Sequence, residues 1–351
     1  MTDEKIVTHG PKYMGSKKTL LPVLRDAILK LSPVTALDVF SGTTRVAQML
    51  RASGVRVTTS DIATYSRVFS GAWVSSTYDQ RIVEYHAARL SRLDPVDGWF
   101  TRTYCDVPSS TNSDKNIRFM TRVNGMRVDA IRLELKRLLD AEEITYTEHN
   151  ALVATLIVAM DRVDNTVAIQ QSYLRDWCTR SKKDLRLQVY AAPMGPVGTH
   201  IQGDVLNITY PSADIAYLDP PYTAANYQTN YHIWETIARG DEPEVTLMTN
   251  RRKDFVGSLV KNPWCSAKTI QQSLESLLLK LDVGHIVVSY GSASIMTIEQ
   301  LCDVVTKTHD IEIHSTHTVN ENIMSKIVSE KSKNNKLRDR AEHLIIARSR
   351  S

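Results

Sequence analysis

The chain has 351 residues, of which 42% are hydrophobic, with 43 Lys and Arg against 39 Asp and Glu. That length exceeds the usual single-domain range and is enough to bury a large core, and the apolar fraction is that of an ordinary globular protein rather than a disordered or fibrous one. A formal net charge of +4 does not by itself argue for nucleic acid, and the lack of any run of about eighteen apolar residues leaves no expectation of a membrane-spanning helix.

The amino terminus, Met1-Thr2-Asp3-Glu4-Lys5, is polar and acidic, unlike a secretory signal. Cys105, Cys178, Cys265 and Cys302 form no Cys-x-x-Cys pair. Reduced thiols in a cytosolic protein are therefore expected, and zinc is not.

In chain order, the first strong pattern is Val34 to Thr44. It predicts an apolar strand ending at Asp38, a small-residue turn through Ser41 and Gly42, and a helix from near Thr43 through Val46, Ala47, Met49 and Leu50. Glycine allows a tight turn and a close approach of ligand to backbone. Val55 to Asp61 predicts a second strand, again ending in an acid. In nucleotide-binding α/β folds an acid about twenty residues after the first strand accepts hydrogen bonds from ribose hydroxyls.

Residues 76–195 break this rhythm. Val128, Ile131, Leu135, Leu138 and Leu139 recur at helical spacing. Ala151 to Met160 is apolar nearly all round, which predicts a buried helix. Val107 to Asn116 is polar and rich in Ser and Asn.

The alternation then returns. Ile215-Ala216-Tyr217-Leu218 predicts a buried strand running into Asp219-Pro220-Pro221-Tyr222. Each proline fixes its own φ and lacks an N–H, so this corner is stiff. It holds out a carboxylate, free carbonyls and a phenol ring. Such a corner suits a planar base with an exocyclic amino group: acid and carbonyl accept its two N–H bonds, and the ring covers a face. A rigid turn is the plain alternative. Further strands are predicted at His285–Tyr290, Asp310–His314 and Glu342–Ala347, with helices at Thr269–Leu281 and Thr297–Thr306. Alternating strands and helices imply a doubly wound α/β sheet whose site lies at the strands' carboxyl ends. Asp38, Asp61 and Asp219 all fall there. Basic clusters occur at Arg251-Arg252-Lys253, at Arg180 with Lys182-Lys183, and from Lys326 to Arg340; each is a candidate phosphate contact or a solvated surface.

The Asp219 to Tyr222 corner resembles that of amino-directed DNA methyltransferases that use S-adenosylmethionine. The segments Lys12-Tyr13-Met14-Gly15-Ser16-Lys17, Asp38 to Thr43, Asp61, Gly203-Asp204-Val205 and Tyr231 to Thr236 together resemble the DNA adenine methylase family with alpha-type motif order. One departure is Thr44, where the family often carries glycine.

The resemblance implies a Rossmann-like methyltransferase sheet formed by 1–75 and 196–351, with 76–195 as a largely helical inserted lobe that recognises the DNA target. It implies cofactor-binding roles for Lys12, Tyr13, Gly15, Lys17, Asp38, Phe40, Ser41, Gly42, Thr43, Asp61, Ile62, Asp204, Val205 and Asp219. Asp38 would receive the cofactor's ammonium, and Lys12 and Lys17 its carboxylate. Asp204 and the Val205 N–H would meet its adenine. Asp219, Pro220, Pro221 and Tyr222 would be catalytic, and no metal is needed because the sulfonium already activates the methyl group.

The implied partner is double-stranded DNA, with room for a companion restriction endonuclease, in the cytoplasm of a bacterium or a phage-infected host. Cytosine-N4 methylation, RNA adenine or protein glutamine methylation, and a non-enzymatic DNA-binding relative stay open at this point. Asn165 has two readings, a contact to base or DNA and a buried cap.

Overall fold

A computed structural model of the chain describes residues 6–12, 16–109, 112–167, 169–170, 172–221, 227–247, 250–257, 262–292, 294–319 and 340–350. The chain opens with α1 (Leu21–Leu29), β1 (Thr35–Asp38), α2 (Arg45–Ala52), β2 (Arg56–Asp61) and α3 (Thr64–Trp73). It continues through α4 (Gln80–Leu90), α5 (Trp99–Tyr104), β3 (Cys105–Ser109), β4 (Asn112–Arg118), α6 (Arg122–Asp140) and α7 (Tyr146–Val163). After a long irregular stretch come β5 (Thr199–Gln202), β6 (Ala213–Leu218), α8 (Tyr227–Asn230), α9 (His232–Arg239) and α10 (Lys253–Gly257). The chain closes with α11 (Ile270–Leu278), β7 (Val283–Gly291), α12 (Ile298–Val305), β8 (His309–Val319) and β9 (Arg340–Ser349).

Seven strands form one sheet in the order β5-β2-β1-β6-β7-β9-β8. Five of them, β5 to β7 in that order, run parallel. β9 inserts antiparallel between β7 and β8.

The pleat sorts side chains to two faces. Ile215 and Tyr217 of β6 join Val287 and Ile346 in a core against Leu24, Ile28, Ala47 and Leu50 of α1 and α2. Ala216 and Leu218 join Ile286, Val288 and Ile345 against Leu274 and Leu277 of α11 and Leu301 and Val304 of α12. A sheet covered on both faces explains why β6 reads as a continuous apolar run and not as an alternation. Full burial of each such aliphatic side chain contributes about 1.5–3 kcal/mol.

A third apolar cluster joins α3 and α9 to α4, α5, α6 and α7. The helix α7 starts with a capping box, Thr145 with Glu148, and is buried from Ala151 through Met160, as its sequence predicts. A Cβ at Gly71 of α3 would lie 2.7 Å from Asn150 Nδ2 of α7, so the two helices pack at glycine distance.

Three details depart from the sequence expectation. The polar stretch 107–116 lies across an antiparallel hairpin, β3 with β4. β5 pairs with β2, although its own residues do not predict a strand. α2 begins at Arg45, because Thr43 and Thr44 belong to the turn. No helix among the described residues is long and apolar enough to cross a membrane.

Candidate functional site

Four acids line the carboxyl edge of four adjacent parallel strands. Asp38 ends β1, level with Thr59 of β2 and Tyr217 of β6. Asp61 therefore lies two residues beyond it on one side, and Asp219 two residues beyond it on the other. Asp61 pairs with Gln202 of β5, and the Gly203 N–H donates to the Asp61 carbonyl at 3.0 Å, which brings Asp204 alongside. The chain leaves β1 toward β2 on one side and receives β6 on the other. A crevice opens at such a switch point.

Asp38 is 2% exposed. Its Oδ2 accepts the Ala47 N–H of α2 at 3.2 Å, and no cation among the described residues lies within ion-pair distance. Burial first, then the Asp219 and Asp61 charges, push its carboxyl up to about 8. The locus thus lacks one positive charge, and its chemistry fits an ammonium group.

Asp61 Oδ1 accepts the Ala63 N–H and Oδ2 the Gly42 N–H, both at 2.9 Å. Burial raises its carboxyl to about 6. Gly42 has φ +47° and Thr44 φ +59°. The second value explains why glycine suits position 44: an L side chain is disfavoured in that region. Thr44 keeps the conformation with its Oγ1 accepting from Gln48 Nε2 at 3.1 Å.

Around this turn Phe40 meets Trp264 edge-on at 4.9 Å. Ser41 Oγ is engaged with the Ser60 carbonyl and Ser66 Oγ, so its side chain braces the turn. Thr43 and Val205 are buried, and Ile62 leaves an apolar side chain 51% exposed beside Asp61. Asp204 holds its own turn, accepting from the Leu206 N–H at 3.1 Å and Asn207 Nδ2 at 2.9 Å.

At the other end Asp219 Oδ1 lies 3.0 Å from Lys17 Nζ, which also lies 2.5 Å from Glu342 Oε1 of β9. Asp219 leans on Ser289 of β7 as well, and Ser289 Oγ is 2.8 Å from Tyr217 Oη. Burial raises the Asp219 carboxyl to about 6 against the pull of Lys17. Lys17, assigned by resemblance to the cofactor's carboxylate, here has its ammonium between two protein carboxylates. Lys12 is exposed, and its backbone N–H donates to Asp161 Oδ2 of α7 at 3.0 Å. Pro220 is buried and Pro221 half-buried. Tyr13, Gly15 and Tyr222 lie outside the described residues.

Two acids with local roles were missed in the sequence. Glu342 carries no motif signal, since its partner Lys17 is 325 positions away. Glu235 of α9 is buried, and its Oε2 accepts the Thr64 and Tyr65 N–H groups at 2.8 and 3.3 Å. It thereby caps α3, the helix that follows Asp61. Asn165 is fully buried. It donates through its N–H to the Phe119 carbonyl and through Nδ2 to the Leu174 carbonyl, and its Oδ1 accepts from the Cys178 N–H. These contacts favour the structural one of its two readings.

Of the basic clusters, Arg252 is buried between Asp241 and Asp254 and Lys253 pairs with Glu244. Arg180 pairs with Asp164, and Lys182 and Lys183 are exposed. The cluster from Lys326 to Arg340 lies outside the described residues, save for the backbone of Arg340, which opens β9.

A family model for D12 class N6 adenine-specific DNA methyltransferases matches residues 13–301. Among curated proteins, the chain is similar to the modification methylase LlaI of Lactococcus lactis subsp. lactis, with 26% identity over 84% of this chain and 48% of that protein. It is also similar to the type II methyltransferase M.NlaIII of Neisseria lactamica, with 26% identity over 83% of this chain and 86% of that one. A third relative is the type II methyltransferase M.CviAII of Paramecium bursaria Chlorella virus 1, with 28% identity over 85% of this chain and 91% of that one. The chain thus spans about half of LlaI and most of the other two.

Proposed function

The chain belongs to the D12 class N6 adenine-specific DNA methyltransferase family, and on that premise we propose that it methylates the N6 amino group of adenine in a specific double-stranded DNA sequence. The observation that carries the proposal is the row of acids at the ends of β5, β2, β1 and β6, with the Asp219-Pro220-Pro221 corner at one end of it. S-adenosylmethionine, the cofactor of this activity, supplies a methyl group made electrophilic by its sulfonium.

Each acid then has a task set by its surroundings. Asp38, buried without a cation partner among the described residues, binds the ammonium of the cofactor. Asp61, fixed by two backbone N–H groups, accepts from ribose hydroxyls, and Ile62 offers an apolar surface to the purine. Asp204 and the Val205 N–H meet the edge of that purine.

Asp219 and the Pro220 carbonyl accept the two hydrogens of the target amino group. That nitrogen's lone pair is delocalised into the ring, and the two hydrogen bonds favour a pyramidal nitrogen that can attack. Orientation of this kind sets a scale of about 7–11 kcal/mol in well-aligned intramolecular reactions. The target is extruded from the duplex at a cost of a few kcal/mol. Tyr222 covers its face, a stack of about 1–3 kcal/mol.

Residues 76–195 are the DNA-recognising lobe in this proposal, and exchanging them with those of a relative of different specificity should transfer the recognised sequence. A companion restriction endonuclease, and a place in the cytoplasm of a bacterium or a phage-infected host, belong to the same proposal, which the likeness to modification methylases and type II methyltransferases motivates. The decisive experiment is Asp219→Ala assayed on duplex DNA with labelled cofactor, with the modified base identified by mass spectrometry. Loss of N6-methyladenine with cofactor binding retained is expected. Near-normal turnover, or label on cytosine, would defeat the proposal.

A further inference from the structure

Lys17 sets a problem for the site that it helps to build. Its ammonium is buried beside Asp219, the carboxylate at which target and methyl donor meet in the proposed function. The donor is itself a cation at sulfur. Two like charges in a poorly solvated site repel, and water screens them little there. A bare Lys17–Asp219 pair would be neutral, with nothing left to offset the incoming charge.

Glu342 changes that balance. It enters from β9, level with Gly291 of β7, and it is 9% exposed. Its Oε1 is 2.5 Å from Lys17 Nζ. One ammonium is thus shared by two carboxylates, one just past the end of β6 and one on β9. The cluster of Lys17, Asp219 and Glu342 keeps one net negative charge when all three are ionised.

We infer that Glu342 is a positioning residue that acts through Lys17: it neutralises that ammonium and leaves the negative charge of Asp219 available to a sulfonium. The site then favours the charged donor over the product, S-adenosylhomocysteine, whose sulfur is neutral. After each transfer the attraction disappears with the charge, and the spent cofactor leaves more readily. This inference rests on the proposed function for its cofactor, and it adds a residue that the methyltransfer chemistry does not itself require.

The test is calorimetric titration of the full chain with S-adenosylmethionine and, separately, with S-adenosylhomocysteine. Glu342→Gln keeps size and hydrogen bonding and removes the charge. It should weaken binding of the charged cofactor by about fivefold, the scale of a shielded charge several ångströms away, and change binding of the neutral one less than about twofold. Retained binding of the neutral compound also reports that the variant is folded. The double variant Lys17→Met with Glu342→Gln removes both charges and should return the ratio of the two affinities toward that of the wild type.

An unchanged ratio in Glu342→Gln, or an equal loss for both compounds, would overturn the inference and leave a purely structural role. A wild-type chain that bound neither compound would instead defeat the cofactor assignment, and the inference with it. Turnover in Asp219→Ala tests the clasp on the target base separately from all of these.

Discussion

Replacing Asp38 by Asn should make the ligand-free protein more stable and weaken its binding of the proposed cofactor. Asp38 is buried, without a cation partner among the described residues, and keeps its proton to about pH 8, whereas an unfolded Asp loses it near 3.9. Between those values the native state binds more protons than the unfolded state. Stability therefore falls as pH rises through this window and levels off above about 8. Each tenfold in proton affinity is about 1.4 kcal/mol, so ionising this group or keeping it protonated at pH 7 strains the fold by on the order of 2–4 kcal/mol.

Asn is neutral at every pH, is nearly the same shape, and still accepts the Ala47 N–H. At roughly 2 °C per kcal/mol, Asp38→Asn should raise Tm by about 4–8 °C at pH 8 and hardly at all at pH 4. The same change should weaken S-adenosylmethionine binding by at least about thirtyfold, because a buried charged partner is lost. Calorimetric melts at the two pH values and a binding titration measure both effects. A variant no more stable than wild type at pH 8, or one that bound the cofactor normally, would show that Asp38 is not an uncompensated carboxylate awaiting a cation.

Other outcomes follow from neighbouring geometry. With cofactor and DNA saturating, kcat should fall as pH drops below about 6, since Asp219 must be ionised to accept from the target; a flat profile from about pH 5 to 8 would contradict that role. Glu235→Ala uncaps α3 and should cost about 2–3 kcal/mol in a denaturant melt. It should also weaken cofactor binding, because α3 begins directly after the Asp61 segment. Arg252→Met should destabilise by about 2 kcal/mol while the salt dependence of DNA binding stays unchanged, as expected of a buried arginine that touches no phosphate.

The acids of the candidate site were legible because each falls at the end of a strand, and a parallel sheet aligns the ends of its strands. Asp38, Asp61 and Asp219 needed only that rule. β5 escaped notice because Thr199-His200-Ile201-Gln202 is short and polar; it is a strand because β2 offers it an edge. The hairpin of β3 and β4 escaped because its polar residues favour no element until α5 and α6 pack beside it. Arg252 looked like a surface cation, since Asp241, eleven residues earlier, becomes its partner only when the chain turns back, and Asp254 beside it gave no sign of burial. Glu342 had no local signal at all. Lys17 was legible as a charge near the site, and its choice of partners was not.

The position of β1 also bears on how the molecule is made. β1 pairs with β2 on one side at once, yet its other edge waits for β6, with about 175 residues of chain between Asp38 and Ala213. During synthesis that edge stays bare while the helices of α4 to α7, built from nearby contacts, are free to collapse first. Closure of the sheet is thus the late, long-range step that slows folding, and a half-made chain on the ribosome presents an apolar strand for a chaperone to shield.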